Sequence, residues 1–475
     1  MDFHLALHPH GELTAQIYGQ LRDAIRAGRL AAGERLPPSR ALAAQLGVSR
    51  KTVTEAYEML ASEGFTAGRV GAGTFVAAVP GLAAQAAPAK PVAAIPLPRW
   101  QALPTPFLEI ASAPRLRHDF RGGATDRSLL PQAEWRRCMM EALRWQVRGD
   151  AEAATVDGLP RLRGAIARQL AVSRAVRCEW SDVMVTSGAQ QAIDLVGRVL
   201  LEPGAVVAME DPGYPPAFAS FSAQGARVVS VPVDGEGMVV EALPDSARLV
   251  YVTPSHQFPL GMPMSLPRRR ALLHWAARRG AVILEDDYDS EFRYEGRALE
   301  ALHSLDDSGL VAYAGTFSKT LTAELRLGYL VMPPALRPAL RQAKHLCDWY
   351  SQPLLQFALA RLIERGDFAR HARRCHKHYA ARRAALLAAL RGPLADWLAP
   401  IPAMAGIHLA ARLQQPLDLG ALVERGRGEG LGLYPLDAFH RETPPLAGLL
   451  FGFGGTALDE LQAGLQTLER LLRTA

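Results

Sequence analysis

The chain has 475 residues, too many for one ordinary domain, and 49% of them are hydrophobic against 21% charged, a globular composition that excludes a disordered chain. No run of 18 apolar residues occurs, and the start, MDFHLALHPHGEL, has no basic stretch followed by an apolar one; neither a membrane span nor a signal peptide is expected, and the cytoplasm is the expected compartment. An excess of 53 cationic over 47 acidic residues permits nucleic-acid binding without requiring it, and the scattered Cys138, Cys178, Cys347 and Cys375 speak for reduced thiols rather than disulfides or a zinc site.

From the N-terminus, GELTAQIYGQLRDAIRAG places Leu13, Ile17, Leu21 and Ile25 four residues apart before Gly28, which predicts an amphipathic helix. A second helix is expected after Pro37-Pro38, with Ser39 as its N-cap, Leu42 and Leu46 facing inward and Gly47 as its stop. A third begins at Ser49 and buries Val53, Ala56, Tyr57 and Leu60, so Arg50, Lys51 and Thr52 project from its first turn. Two such helices across a tight Gly47-Val48 turn predict a helix-turn-helix, whose last helix meets base edges in the major groove. FTAGRVGAGTFVA alternates around glycines and predicts a short hairpin, a wing.

Residues 35–54 hold Arg35, Arg40, Arg50 and Lys51 and no acid. That local asymmetry points to DNA phosphates, with a helical dimerisation module carrying a solvated basic turn as the alternative. Gly71-Ala72-Gly73 outlines a dinucleotide-binding glycine pattern, but no helix follows and no βαβ unit surrounds it, so a wing tip is the expected reading. LPPSRALAAQLGVSRKTVTEAYEMLASEGF with AGRVGAGTFVA resembles the winged helix-turn-helix of GntR-type bacterial regulators over residues 11–77. The resemblance implies operator DNA as a partner, contacted by Arg40, Ser49, Arg50, Lys51, Thr52, Arg69 and Gly73.

Residues 78–114 are crowded with Ala and Pro and show no sustained period, which predicts a linker between a DNA-binding domain at 1–77 and a second domain at 115–475. Such a segment extends by about 3.1 Å per residue and can hold its neighbours well apart. Beyond it strands alternate with helices in VMVTSG, AVVAMED, RVVSVPV, LVYVTP, AVILEDDY, LVAYAGT and RLGYLVM. An α/β domain is predicted, its mostly parallel sheet covered by helices on both faces, followed by a smaller α+β subdomain in the last hundred or so residues.

Pyridoxal phosphate chemistry needs a lysine for a Schiff base, an acid to keep the pyridine nitrogen protonated, phosphate donors and an aromatic surface. Lys319 follows a strand in AGTFSKT, Asp286 ends VILEDD, and Tyr288 lies two residues on. Ser187-Gly188-Ala189 sits between VMVT and a helix, so its N–H groups and the helix dipole would face an anion. Each feature alone is weak, since a lysine after a strand is usually solvated. A calcium loop counted from Asp287 would put Phe292 at the glycine position and Ala298 at the bidentate acid, and fails. His371, Cys375, His376 and His378 lie in a strongly basic helix, and no metal is expected.

Together and in this order, SGAQQAIDL, EDPGYP, TPSHQFPLG, ILEDDYDSEF, TFSKT and LRLGYL resemble the fold-type I aminotransferases over roughly residues 115–475. Joined to the winged helix, and with EDDYDSEFRY and TPSHQFP above all, the chain resembles the MocR-type regulators. By that resemblance Lys319 forms the internal aldimine, Asp286 pairs with the pyridinium, Tyr288 bonds the ring hydroxyl, Tyr214 stacks on the ring, and Ser187, Thr316 and Arg326 hold the phosphate. It implies a regulator that senses pyridoxal phosphate itself or an amine or amino-acid effector, as a head-to-tail homodimer. Each linker would carry a DNA-binding domain across to the other subunit. A transaminating enzyme with an accessory winged helix is the alternative, and a cofactor-free scaffold a third reading that Lys319 with Asp286 disfavours.

Three departures stand out. SHQFP occurs where aminotransferases carry an asparagine by the ring hydroxyl, and RGDAEAA, with Arg148, where relatives read YGDP. GLLFGFGG puts Leu450 where aminotransferases place the arginine that clamps the substrate carboxylate. Unless another cation such as Arg441 or Arg121 enters the site, the expected effector is the cofactor or an amine without the usual carboxylate, and α-amino acids should turn over slowly or not at all.

Overall fold

A computed structural model describes residues 5–8, 11–69, 71–78, 100, 102–103, 113–148, 155–296 and 300–474. The chain divides into two compact units, Met1–Ile95 and Pro96–Ala475. Most of the predicted linker at 78–114 and the residues of RGDAEAA after Arg148 lie outside the described residues.

The first unit contains helices α1 (Leu13–Arg26), α2 (Ser39–Leu46) and α3 (Arg50–Ser62) and an antiparallel hairpin of β1 (Thr66–Arg69) and β2 (Gly73–Val76). Ile17, Leu21 and Ile25 of α1 close a core with Leu42 of α2 and with Val53, Ala56, Tyr57 and Leu60 of α3. Leu13 does not join it and is 37% exposed, because it opens α1 one turn before Ile17 reaches the core. Ser39 is not the cap of α2: Pro38 takes that position, Ser39 is already helical, and Leu46 is only partly buried. Ser49 does cap α3, its Oγ accepting from the Thr52 N–H at 3.1 Å. Gly47, at φ 66°, makes the turn between α2 and α3 in a region that other residues enter only with strain.

The second unit opens with β3 (His118–Asp119), α4 (Gln132–Arg148) and α5 (Pro160–Arg174). Its main sheet comprises β4 (Val183–Thr186), β5 (Val206–Asp211), β6 (Arg227–Asp234), β7 (Gly237–Met238), β8 (Ala247–Val252), β9 (Val282–Asp287), β10 (Val311–Thr316) and β11 (Gly328–Val331), in the order β4-β11-β10-β9-β8-β5-β6-β7. Pairing is parallel through β10, β9, β8, β5 and β6, while β11 runs antiparallel to both β10 and β4. Period-two alternation divides the side chains: Leu249, Tyr251 and Leu284 pack with Ile193 and Val196 of α6 (Ala189–Leu200). Val250, Val252 and Ile283 pack with Leu272 and Trp275 of α8 (Leu266–Arg279), so neither face meets water and the strands read as continuous apolar runs. Helix α7 (Pro215–Ala223) precedes β6; α9 (Arg337–Asp348) and α10 (Pro353–Glu364) follow β11.

The long helix α11 (Asp367–Arg391) leads into a smaller antiparallel sheet, ordered β12 (Leu398–Pro400), β13 (His408–Leu413), β16 (Gly448–Gly452), β15 (Tyr434–Pro435). Helices α12 (Leu419–Gly428) and α13 (Leu458–Arg473) belong to the same subdomain. Between them β14 (Leu431–Gly432) pairs with β3, which fixes the segment at 118–119 to this subdomain. Among the described residues no helix is long and apolar enough to cross a membrane.

Candidate functional site

In the first unit, Arg50 and Lys51 are exposed on the first turn of α3, Thr52 is half-buried, and Arg40 is exposed on α2. That turn carries no acid, so its N–H groups and the two cations present one positive end. Lys51 pairs with Glu55 at 3.7 Å, an exposed ion pair of the kind that solvent screens to a small contribution. On the wing the Arg69 guanidinium lies 4.9 Å from the centre of the Phe75 ring, and Gly73, at φ 111°, leaves room for Arg35, whose Nε would be 2.9 Å from any Cβ there.

In the second unit the carboxyl ends of β9 and β10 and the start of α6 converge, the edge at which open α/β sheets bind ligands. A cavity of about 530 Å³ there is lined by Lys319, Asp286, Tyr288, Tyr214, Thr316, Arg326 and Ala189. Ser187 lines an adjoining cleft of about 960 Å³, which Tyr214 and Arg326 also border. Arg326 Nη2 donates to the Ser187 carbonyl at 2.8 Å, and a Cβ on Gly188 would lie 2.8 Å from the same nitrogen, so the guanidinium packs on the first residues of α6. Thr316 Oγ1 accepts from the Ser318 N–H at 3.1 Å.

Lys319 Nζ donates to the Gly123 carbonyl at 2.9 Å. Burial pushes its pKa below the ordinary value against the opposing pull of Asp289 and Asp286, which favours the neutral, nucleophilic amine. Asp286 accepts from the Tyr251 hydroxyl at 2.7 Å through Oδ2, while its buried Oδ1 has no partner. Burial raises its carboxyl to about 6. An orphaned carboxylate oxygen on the wall of this cavity calls for a cationic N–H, and a protonated pyridine nitrogen supplies both the donor and the charge; the residues fit pyridoxal phosphate. The next residue faces the other way: Asp287 Oδ2 accepts from Arg174 Nε at 2.7 Å and from the Tyr313 hydroxyl at 2.5 Å in a closed, buried pair.

The raised carboxyl has a measurable consequence. A group whose folded pKa lies above its ordinary 3.8 stabilises the fold below about 4 and loses that contribution as pH rises through about 6. In thermal melts of the cofactor-free protein, Asp286→Asn is expected to flatten the fall in stability across this window. An unchanged pH slope would assign the effect to other groups.

Tyr288 donates its hydroxyl proton to the His256 carbonyl at 2.8 Å. At SHQFP the residue lining the cavity is Phe258, edge-on to Tyr214 and Tyr288 with ring centres 5.5 and 6.2 Å away, so an apolar ring stands there and offers no donor. Leu450 lines the same cavity from β16. Of the two cations considered as substitutes for a clamp, Arg121 lines the cavity, whereas Arg441 lies over the Phe218 ring in the adjoining cleft. His371 and His376 bond different backbone carbonyls, those of Thr320 and Arg293, on separate faces of α11.

Several lining residues were missed from sequence. Ser318 adjoins Lys319 within TFSKT itself and could have been nominated. His408 arrives from β13 with no local motif; burial and His256 push its pKa down to about 3, so it is neutral. His256, Asp289 and His408 bring one potential ligand atom each within 4.8 Å of one another, and His256 Nδ1 already bonds Asp289 at 3.0 Å.

Comparison with known proteins matches residues 13–76 to the family described as bacterial regulatory proteins, gntR family, and residues 131–416 to aminotransferase class I and II. The chain is 38% identical over 459 residues to the probable rhizopine catabolism regulatory protein MocR of Rhizobium meliloti, covering 95% of this chain and 92% of that one. It is 32% identical over 463 residues to the pyridoxine biosynthesis transcriptional regulator PdxR of Corynebacterium glutamicum, covering 97% and 96%. Among solved structures, Pyrococcus horikoshii kynurenine aminotransferase superposes with a TM-score of 0.70 at 27% identity, over 78% of this chain and 93% of that one. Thermus thermophilus LysN, an α-aminoadipate aminotransferase, gives 0.68 at 29% identity, over 75% and 92%. The aminotransferase domain and these neighbours imply pyridoxal phosphate as the cofactor. With a gntR-family DNA-binding domain ahead of an aminotransferase-like domain, and relatives matched along nearly their whole length, the chain belongs to the MocR-type regulators of the GntR family.

Proposed function

We propose that the protein is a homodimeric transcriptional regulator that holds pyridoxal phosphate at Lys319 and reports the state of that cavity to operator DNA through its winged helix-turn-helix. The observation that carries this reading is the pairing, in one cavity, of an amine whose pKa burial lowers with a buried carboxylate oxygen that lacks a donor. Bound there, the cofactor supplies an electrophilic carbon for attachment to a lysine and a cationic ring nitrogen. Lys319 would attach it, Asp286 would pair with the ring nitrogen, Tyr214 would cover the ring and Tyr288 would meet its hydroxyl. Ser187, Thr316 and Arg326, with the N–H groups of Gly188 and Ala189 at the start of α6, would hold the phosphate.

Arg40, Ser49, Arg50, Lys51 and Thr52 contact DNA from the helices, and Arg69 and Gly73 from the wing. The domains run 1–77 and 115–475 with a linker at 78–114, in a head-to-tail dimer that acts in the cytoplasm, where its operator lies. Leu450 in β16 argues against efficient transamination. The test is binding of the purified protein to its own upstream DNA with and without pyridoxal phosphate. Identical affinity and footprint in both conditions would sink the sensor reading, and repeated turnover of α-amino acids with a keto acid would favour an enzyme.

A further inference from the structure

We propose that Arg121 is the anion-recognition residue of the lysine cavity, and that the Ala113 carbonyl holds the face of its guanidinium that an effector's carboxylate would take. The inference rests on the cofactor-sensor reading above and adds the effector's chemical class and the way its arrival is felt along the chain.

The argument starts from Leu450. Its partner on the β15 side is Tyr434, with Ala410 on the β13 side, and the Tyr434 hydroxyl accepts from Arg121 Nε at 3.2 Å while donating to Asp119 Oδ1 at 2.8 Å. The next two residues are glycines in close contact with the site. A Cβ on Gly122 would lie 2.9 Å from Leu450 Cδ2, one on Gly123 would lie 2.6 Å from Lys319 Nζ, and Gly123 gives its carbonyl to that amine at 2.9 Å. Three consecutive residues therefore run from Tyr434 over Leu450 to the reactive lysine. The cation absent from β16 is delivered by a neighbouring segment, to the residue directly opposite.

Of the other arginines lining the cavity, Arg127 pairs with Glu324, Arg326 is held by the Ser187 carbonyl beside α6, where the proposed function gives it the phosphate, and Arg115 donates to the Gly455 carbonyl at 3.4 Å. Arg121 pairs with Asp119, with Nη2 at 3.3 Å from Oδ2. Nη1 and Nη2 both donate to one further acceptor, the Ala113 carbonyl, each at 3.2 Å. A planar fork closed on one neutral oxygen is an incomplete use of a guanidinium, because a carboxylate offers two charged oxygens for parallel, shorter bonds. An aminocarboxylate with its anion at Arg121 and its amine toward Lys319 would replace that carbonyl. No covalent bond changes at Arg121; one acceptor is exchanged for another. Ala113 is the last residue but one of the Ala- and Pro-rich stretch that leads back to the DNA-binding unit, so the same exchange frees the near end of that stretch.

The experiment uses the full chain loaded with pyridoxal phosphate and three probes: ethylamine, L-alanine and β-alanine, which carry no carboxylate, one on the amine-bearing carbon, and one a carbon further away. By calorimetry at least one of the two carboxylates should bind roughly tenfold or more tightly than ethylamine, with Arg121→Gln erasing the difference and Arg121→Lys keeping part of it. Amide exchange over residues 113–119 should rise when that carboxylate binds the wild type, and stay constant in Arg121→Gln. Equal binding of all three probes, no binding by either carboxylate, discrimination that survives in Arg121→Gln, or unchanged exchange at 113–119 would each overturn the proposal. The visible cofactor band separates the two readings: its absence in the wild type refutes the cofactor reading, whereas a band retained in Arg121→Gln with discrimination intact refutes only the role of Arg121.

Discussion

Wild-type protein incubated with pyridoxal phosphate is expected to gain a visible absorption band and to retain the label on one lysine after borohydride reduction, and Lys319→Ala is expected to do neither. Loss should be complete, because Lys319 is the one lysine lining the cavity among the described residues. The fold should survive, since the only hydrogen bond described for Nζ is to the Gly123 carbonyl, and removing a partly desolvated amine relieves a cost as well as losing a contact. Circular dichroism and a thermal melt of the cofactor-free variant check that point. A colourless wild type, or label on a different lysine, would show the assignment to be wrong.

The second large effect is expected at the other end of the chain. Arg50→Ala should weaken specific operator binding by about 1–3 kcal/mol if the guanidinium reads a base edge, roughly 5- to 150-fold in affinity. If it holds a phosphate, the salt dependence should fall by about one unit of slope instead. Ser49 still caps α3 in this variant and Val53, Ala56, Tyr57 and Leu60 still fill the core, so the comparison is between folded proteins. Titrations on operator DNA at several salt concentrations separate the outcomes. Equal affinities for wild type and variant throughout would place Arg50 outside the interface.

Much of the architecture was legible because its signals are local. The four-residue apolar spacing of α1 and the buried set of α3 are visible within fourteen residues, and the fully covered strands announce themselves as apolar runs. What failed at this level was detail at helix starts: Pro38 rather than Ser39 opens α2, and Leu13 sits too early to be buried. The candidate site divides in the same way. Asp286, Tyr288, Thr316 and Lys319 come from compact motifs at neighbouring strand ends and meet in one cavity. Arg121 and Tyr434 meet across 313 residues of sequence, and Leu450 is opposed to Tyr434 only through the register of a strand pair that no local pattern specifies. His408 carries no motif at all. Tertiary pairing, not propensity, puts these groups in place.

Alternation along β9 sets two neighbouring aspartates to unlike tasks. Asp286 presents an unpartnered oxygen to the cavity, while Asp287, one peptide bond later, is closed off with Arg174 and Tyr313. Replacing the first alters what the cavity can hold and leaves the closed pair untouched, whereas replacing the second takes the carboxylate away from a buried guanidinium at a cost of about 3–5 kcal/mol. Substitution at these adjacent codons therefore meets unlike filters: at the first the ligand counts together with the buried Tyr251 hydroxyl from which Asp286 accepts, at the second the closed pair alone. Chemistry at the first position can change without touching the Asp287–Arg174 pair at the second.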